Sequence, residues 1–83
     1  MQTLLRIDEI AQRLKIIGLT PKELSVRAGI NFATFYRGRQ RPGSTSGRNL
    51  DALGRALVAR EIELRDHLLR LHPLEAIHRE AAE

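Results

Sequence analysis

The stretch Leu19–Arg37, LTPKELSVRAGINFATFYR, decides the fold. Its opening, Thr20-Pro21-Lys22-Glu23, is a helix start. A threonine at the N-cap accepts a hydrogen bond from a first-turn amide, and a glutamate three residues on returns one to the cap. Proline fits the first helical position because its missing N–H has no helical partner there. Leu19 before the cap and Leu24 after it can close a hydrophobic staple. The pattern predicts a helix over Pro21–Ala28 that Gly29 ends, since glycine enters the left-handed region without steric cost. Ile30 follows, and Asn31 is placed to cap a second short helix from Phe32 to about Arg37, with Gly38 as its stop.

Two helices joined by a short glycine-containing turn make the helix-turn-helix unit that reads DNA. That unit needs a small residue where the helices cross, and Ser25 supplies one. It needs apolar residues facing a shared core, and Leu24, Ala28, Ile30 and Phe35 have the spacing. The demands are met together within this one stretch, which resembles the helix-turn-helix of the phage lambda repressor and Cro family, also called the XRE family. The resemblance continues more loosely through residues 38–57, GRQRPGSTSGRNLDALGRAL, where that family has a basic, proline-containing loop followed by a further helix. It implies an all-α, compact lambda-repressor-like domain of four or five helices. It also implies that the second helix of the motif lies in the major groove, and that two copies bind a two-fold operator. Three departures stand out. Pro21 and Lys22 occupy the start of the motif, where the family often has a phosphate-clamping glutamine. Gly38 stands where the family keeps an apolar residue, and the following loop is long and glycine-rich.

Upstream, Ile7, Ile10, Leu14 and Ile17 recur in steps of three and four, which is the stripe of an amphipathic helix. Asp8 and Glu9 at its start and Arg13 and Lys15 towards its end suit the helix dipole. The helix is predicted from about Leu4 to Ile17, with Gly18 as its stop. Downstream, Arg39–Gly47 is crowded with turn formers and reads as a loop. Ser46 or Gly47 then opens another helix carrying Leu50, Leu53 and Leu57. Leu64, Leu68 and Leu71 extend a similar stripe, but the polar Arg60 and Glu61 intervene. That interruption favours two helices broken near Val58-Ala59 over one long helix. Pro73 ends the region. Residues 1–72 are read as the domain and 73–83 as a charged C-terminal tail or frayed helix. No stretch alternates as a strand would.

An 83-residue chain is enough for one domain with a small core. It has no cysteine, which excludes disulfides and thiolate metal sites. No apolar run approaches the roughly 20 residues of a membrane span, and the first residues lack the apolar core of a signal peptide. The expected location is cytoplasmic, at the nucleoid. Charge is distributed unevenly. Residues 27–60 hold seven arginines (Arg27, Arg37, Arg39, Arg41, Arg48, Arg55 and Arg60) against the single Asp51. Residues 61–83 hold Arg65, Arg70 and Arg79 against Glu61, Glu63, Asp66, Glu75, Glu80 and Glu83. A basic middle points to a polyanion, because guanidinium forks match phosphate oxygens and guanine edges. A solvated arginine-rich surface would give the same composition.

On the second helix of the motif the core takes Phe35. Asn31, Phe32, Ala33, Tyr36 and Arg37 are the candidates for reading bases. Arg37 suits guanine, Asn31 suits adenine or its own cap, and Phe32 suits a thymine methyl or the core. Thr20, Lys22, Thr34, Arg39, Arg41 and Arg48 are the candidates for phosphate contacts, which position a protein without reading sequence. His67, His72 and His78 do not share a helical face, so no metal is expected. No cofactor is expected either. No nucleophile–base or paired-carboxylate arrangement stands out, and neither catalysis nor a small-molecule substrate is expected. Leu64, Leu68 and Leu71 either close the core or pair with a second copy of the chain. The function these readings favour is a sequence-specific, DNA-binding transcriptional regulator of the phage or mobile-element repressor type, acting on double-stranded DNA as a homodimer. The alternative is an antitoxin or other protein-interaction module on the same fold, using the acidic tail.

Overall fold

The computed structural model describes residues 4–41 and 43–73. Those residues form four helices and no strand: α1 (Ile7–Ile17), α2 (Pro21–Ala28), α3 (Phe32–Gln40) and α4 (Gly47–Leu71). One core joins them. It is built from Ile7, Ile10 and Leu14 of α1, Leu24 of α2, Phe35 of α3, Leu53 and Leu57 of α4, and Leu19 from the first turn. Each such side chain contributes about 1.5–3 kcal/mol when fully buried. Ala28 and Ile30 are partly buried against it. Ser25 is buried where α2 meets its neighbours, and its hydroxyl donates to the Pro21 carbonyl at 2.8 Å.

Local chemistry accounts for the helix ends. Gly18 (φ 70°) and Gly29 (φ 71°) both sit in the left-handed region and close α1 and α2. The Thr20 hydroxyl accepts from the Glu23 amide at 3.1 Å, and Glu23 Oε1 accepts from the Thr20 amide at 3.3 Å, completing the capping box. Asn31 Oδ1 accepts from the Ala33 amide at 2.9 Å and starts α3. Ser46 caps α4 by accepting from the Asn49 amide at 3.2 Å.

Three boundaries differ from the sequence expectation. First, α1 begins at Ile7 rather than Leu4, with Arg6 extended at φ −78°, ψ 153°. Leu4 and Leu5 are instead spent on α4, their methyls lying against Gly47 and Gly54. Second, Gly38 does not end α3, which runs on to Gln40. Gly38 is buried, and its bare Cα lets the helix lie against Thr45 of the following loop and Ile7 of α1. A glycine can stop a helix, but here it serves close approach instead. Third, α4 does not break at Val58-Ala59. It is one helix of 25 residues, about 37 Å long. The polar pair that interrupts the leucine stripe is anchored rather than exposed. Glu61 takes a two-point hydrogen bond from Arg13 of α1, with Nε to Oε2 at 2.9 Å and Nη2 to Oε1. Arg60 bonds Glu63 one turn on at 3.0 Å, and Glu63 also meets Arg27 of α2 at 3.7 Å.

The buried residues of α4, Leu53 and Leu57, both lie in its first half. Leu64 is half-buried, whereas Leu68 and Leu71 are more than half exposed. The downstream stripe therefore leaves the core of the described residues and continues as an amphipathic arm with Leu68 and Leu71 exposed. Among the described residues no helix is long and apolar enough to cross a membrane. The tail expected beyond Pro73 lies outside the described residues.

Candidate nucleic-acid interface

With Phe35 and Gly38 turned inward, the opposite face of α3 presents Phe32, Ala33, Tyr36, Arg37 and Gln40 to solvent. The spacing i, i+1, i+4, i+5, i+8 is one side of an α-helix. Phe32 is 43% exposed and Tyr36 53%, with ring centroids 6.3 Å apart and the planes tilted by 38°. The two exposed aromatics lie next to each other along the helix. Gln40 Nε2 donates to the Tyr36 hydroxyl at 3.1 Å, which fixes the phenol's polar end. Arg37 turns back over the helix, its Nε donating to the Ala33 carbonyl at 3.3 Å. That bond uses one donor and leaves the terminal nitrogens of the guanidinium fork. The first turn of α3 holds no acid, while Arg37 and Arg39 lie in its last turn.

The five candidate base-reading residues thus share the start and outer face of one helix. Asn31 is exposed, but its side-chain oxygen is engaged as the cap, so only its amide nitrogen remains to reach outward. Phe32 is at the surface and is not a core residue.

The six candidate phosphate contacts are less uniform. Thr20 is committed to its capping box, its hydroxyl also donating to Glu23 Oε1 at 2.8 Å. These bonds hold the Glu23 carboxyl below its ordinary value, the Thr20 hydroxyl contributing most and the Thr20 amide next. Lys22 is exposed on the first turn of α2. Arg39 is paired with Asp8 of α1 at 3.3 Å, so it ties α3 to α1. Arg41 and Arg48 are exposed and take part in no ion pair among the described residues. Thr34 is half-buried and reaches a cleft that Arg37 and Arg41 also line.

That cleft, of about 650 Å³, separates the end of α3 from the start of α4. Besides Thr34, Arg37 and Arg41 it is lined by Gln40, Ser44, Thr45, Ser46 and Asn49. Two guanidinium groups, two carboxamides and several hydroxyls line it, and no acid does so among the described residues. The chemistry suits an anion with several oxygens. Sequence reasoning did not find Gln40, Ser44 and Asn49. Their signal depends on α3 passing through Gly38, because only a helix reaching Gln40 places that residue one turn beyond Tyr36.

His67 and His72 lie on α4 and at its C-cap, and His78 lies outside the described residues. Among the described residues no group of three potential metal ligands comes together. No protein-family model matches the chain, and no curated protein or solved structure matches it either.

Proposed function

We propose that the chain is a sequence-specific DNA-binding regulator in which α2, the Gly29 turn and α3 act as a helix-turn-helix. In this reading α3 enters the major groove with Phe32, Ala33, Tyr36 and Arg37 towards base edges. The α3–α4 cleft, with Arg41, Arg48 and the N-terminus of α4 beside it, holds the flanking backbone. The observation that carries the reading is the outer face of α3. It combines an exposed aromatic pair with an arginine that has no carboxylate partner among the described residues, on a helix whose other side is fixed in the core by Phe35. Adjacent exposed aromatics leave apolar surface in water, and a guanidinium fork matches phosphate oxygens and base edges, so both fit nucleic acid.

Binding as a pair of chains to a two-fold site belongs to the same proposal. Operators of that symmetry present half-sites about one helical turn apart, and two copies of α3 would meet them together. The contrasting reading is a protein-interaction module. It draws on the second half of α4, where Leu68 and Leu71 continue the core stripe as exposed side chains.

The test is selection of bound duplexes from a random pool, followed by mobility-shift titration at several salt concentrations. A palindromic consensus is expected, with log affinity falling by about 0.9 per phosphate contact per log unit of salt. A folded protein that retains no duplex at low salt would remove the proposal.

A further inference from the structure

The outer face of α3 divides by chemistry. At about 100° of turn per residue, Phe32, Tyr36, Ala33 and Arg37 succeed one another around the outward side of the helix. The buried Phe35 and Gly38 lie opposite. The two aromatic rings stand at one edge of the face and the guanidinium at the other, all exposed. Ala33 lies between them and projects only a methyl, so another surface can come close to the helix there. Several polar groups of this face are already engaged within the chain. Asn31 Oδ1 accepts from the Ala33 amide, and the Gln40 carboxamide donates to the Tyr36 hydroxyl. Arg37 Nε donates to the Ala33 carbonyl, and its terminal nitrogens remain. The face chiefly offers one guanidinium fork beside an apolar surface. No acid lies in α3, and Arg37 and Arg41 at its C-terminal end have no ion pair among the described residues. An apolar surface in a basic surrounding complements a polyanion that carries apolar groups of its own.

The major groove has one such group, the C5-methyl of thymine, and guanine beside it offers N7 and O6 to an arginine. Cytosine carries the same methyl once its C5 is methylated. We infer that α3 reads the methylation of pyrimidine C5: the Phe32–Ala33–Tyr36 surface takes the methyl of thymine or of 5-methylcytosine, and Arg37 takes a guanine in the same half-site. The inference rests on the DNA-binding reading and adds what that surface discriminates. The Phe32 ring has no polar atom to offer a base edge, so a pyrimidine without the methyl leaves it facing groove water. Phe32 and Tyr36 become specificity-determining residues. A cytosine within the site would be bound better methylated than bare.

The test changes the DNA and leaves the protein intact. Duplexes selected from a random pool are expected to carry thymine and guanine in each half-site. Each thymine is then replaced in turn by uracil, which keeps every hydrogen-bonding group and loses only the methyl. At a contacted position the affinity is expected to fall about fourfold, the worth of one buried methyl. At that position 5-methylcytosine opposite guanine is expected to bind about fourfold better than cytosine opposite guanine. Phe32→Ala and Tyr36→Ala, with helical circular dichroism unchanged, are each expected to bring the thymine-to-uracil ratio towards one. Arg41→Ala is expected to weaken both duplexes and keep the ratio. A consensus without thymine, uracil duplexes that bind as tightly as their thymine parents, a ratio unchanged in both aromatic variants, or a ratio abolished by Arg41→Ala would each overturn the inference and leave DNA binding standing. Failure to retain any duplex would overturn the DNA-binding reading and the inference with it.

Discussion

Replacing Gly38 by alanine should destabilise the protein, although the same change in an ordinary helix stabilises it. Gly38 lies inside α3, and alanine in a helix interior is favoured over glycine by about 1 kcal/mol. Here a methyl at Gly38 would overlap Thr45 Oγ1 and sit 3.5 Å from Thr45 Cβ and 3.6 Å from Ile7 Cγ1. Thr45 is β-branched and stiff at χ1, and Ile7 is a buried core residue, so neither yields freely. Overpacking of this kind costs about 1–3 kcal/mol. The net expectation is a loss of about 1 kcal/mol, a drop in Tm of about 4–8 °C for a domain of this size. Thr45 makes the argument sharper. Its hydroxyl oxygen is buried with no hydrogen-bond partner among the described residues. A buried unsatisfied hydroxyl already costs about 1–3 kcal/mol, so Thr45→Ala alone should be close to neutral or mildly stabilising. In the double variant the clash is gone and the helix preference of alanine remains, so G38A/T45A should be at least as stable as the parent. Urea denaturation of the four proteins gives the coupling directly, expected near 2 kcal/mol in favour of the pair. A Gly38→Ala protein more stable than the parent, or single effects that add without coupling, would refute the packing of α3 on the loop. It would also remove the geometric basis of the α3–α4 cleft.

Thr20→Ala should cost about 1 kcal/mol through loss of the capping box, measured by urea denaturation at neutral pH. Because the folded Glu23 carboxyl is held below its unfolded value, its contribution is complete above about pH 4.3 and fades as pH falls through the lowered folded value. The difference between parent and Thr20→Ala should shrink over that acidic range, and a pH-independent difference would contradict the assignment. Arg13 and Glu61 join α1 to α4 through a two-point bond at the edge of the core, and the bond to Glu61 pushes the arginine's pKa further up. A double-mutant cycle of Arg13→Ala and Glu61→Ala should give a coupling of about 1 kcal/mol at low salt, weaker at high salt because both groups are partly exposed. For DNA, Arg37→Ala should relax preference at one base position, a loss of about 1–3 kcal/mol of discrimination. Arg41→Ala should weaken all duplexes alike and reduce the salt slope by about one, which titration against selected and random duplexes will separate.

The chain itself determined the local events: the capping box at Thr20 and Glu23, the left-handed stops at Gly18 and Gly29, the Asn31 cap and the apolar stripes. These depend on neighbours within four residues, so residue type and spacing carry all the information they need. The same logic placed Asn31, Phe32, Ala33, Tyr36 and Arg37 together, since they share one short helix. Tertiary structure alone decided what each ambiguous residue became. Gly38 reads locally as a stop, yet Thr45 and Ile7 make it a packing surface inside α3. Arg60 and Glu61 read locally as a break, yet Arg13, 48 positions before Glu61, makes them an anchor within one long α4. Arg39 and Arg41 are alike in sequence, but Asp8 engages one and leaves the other free of an ion pair among the described residues. Partners distant along the chain are chosen by the packing of whole helices, and no spacing rule within a single segment can reveal them.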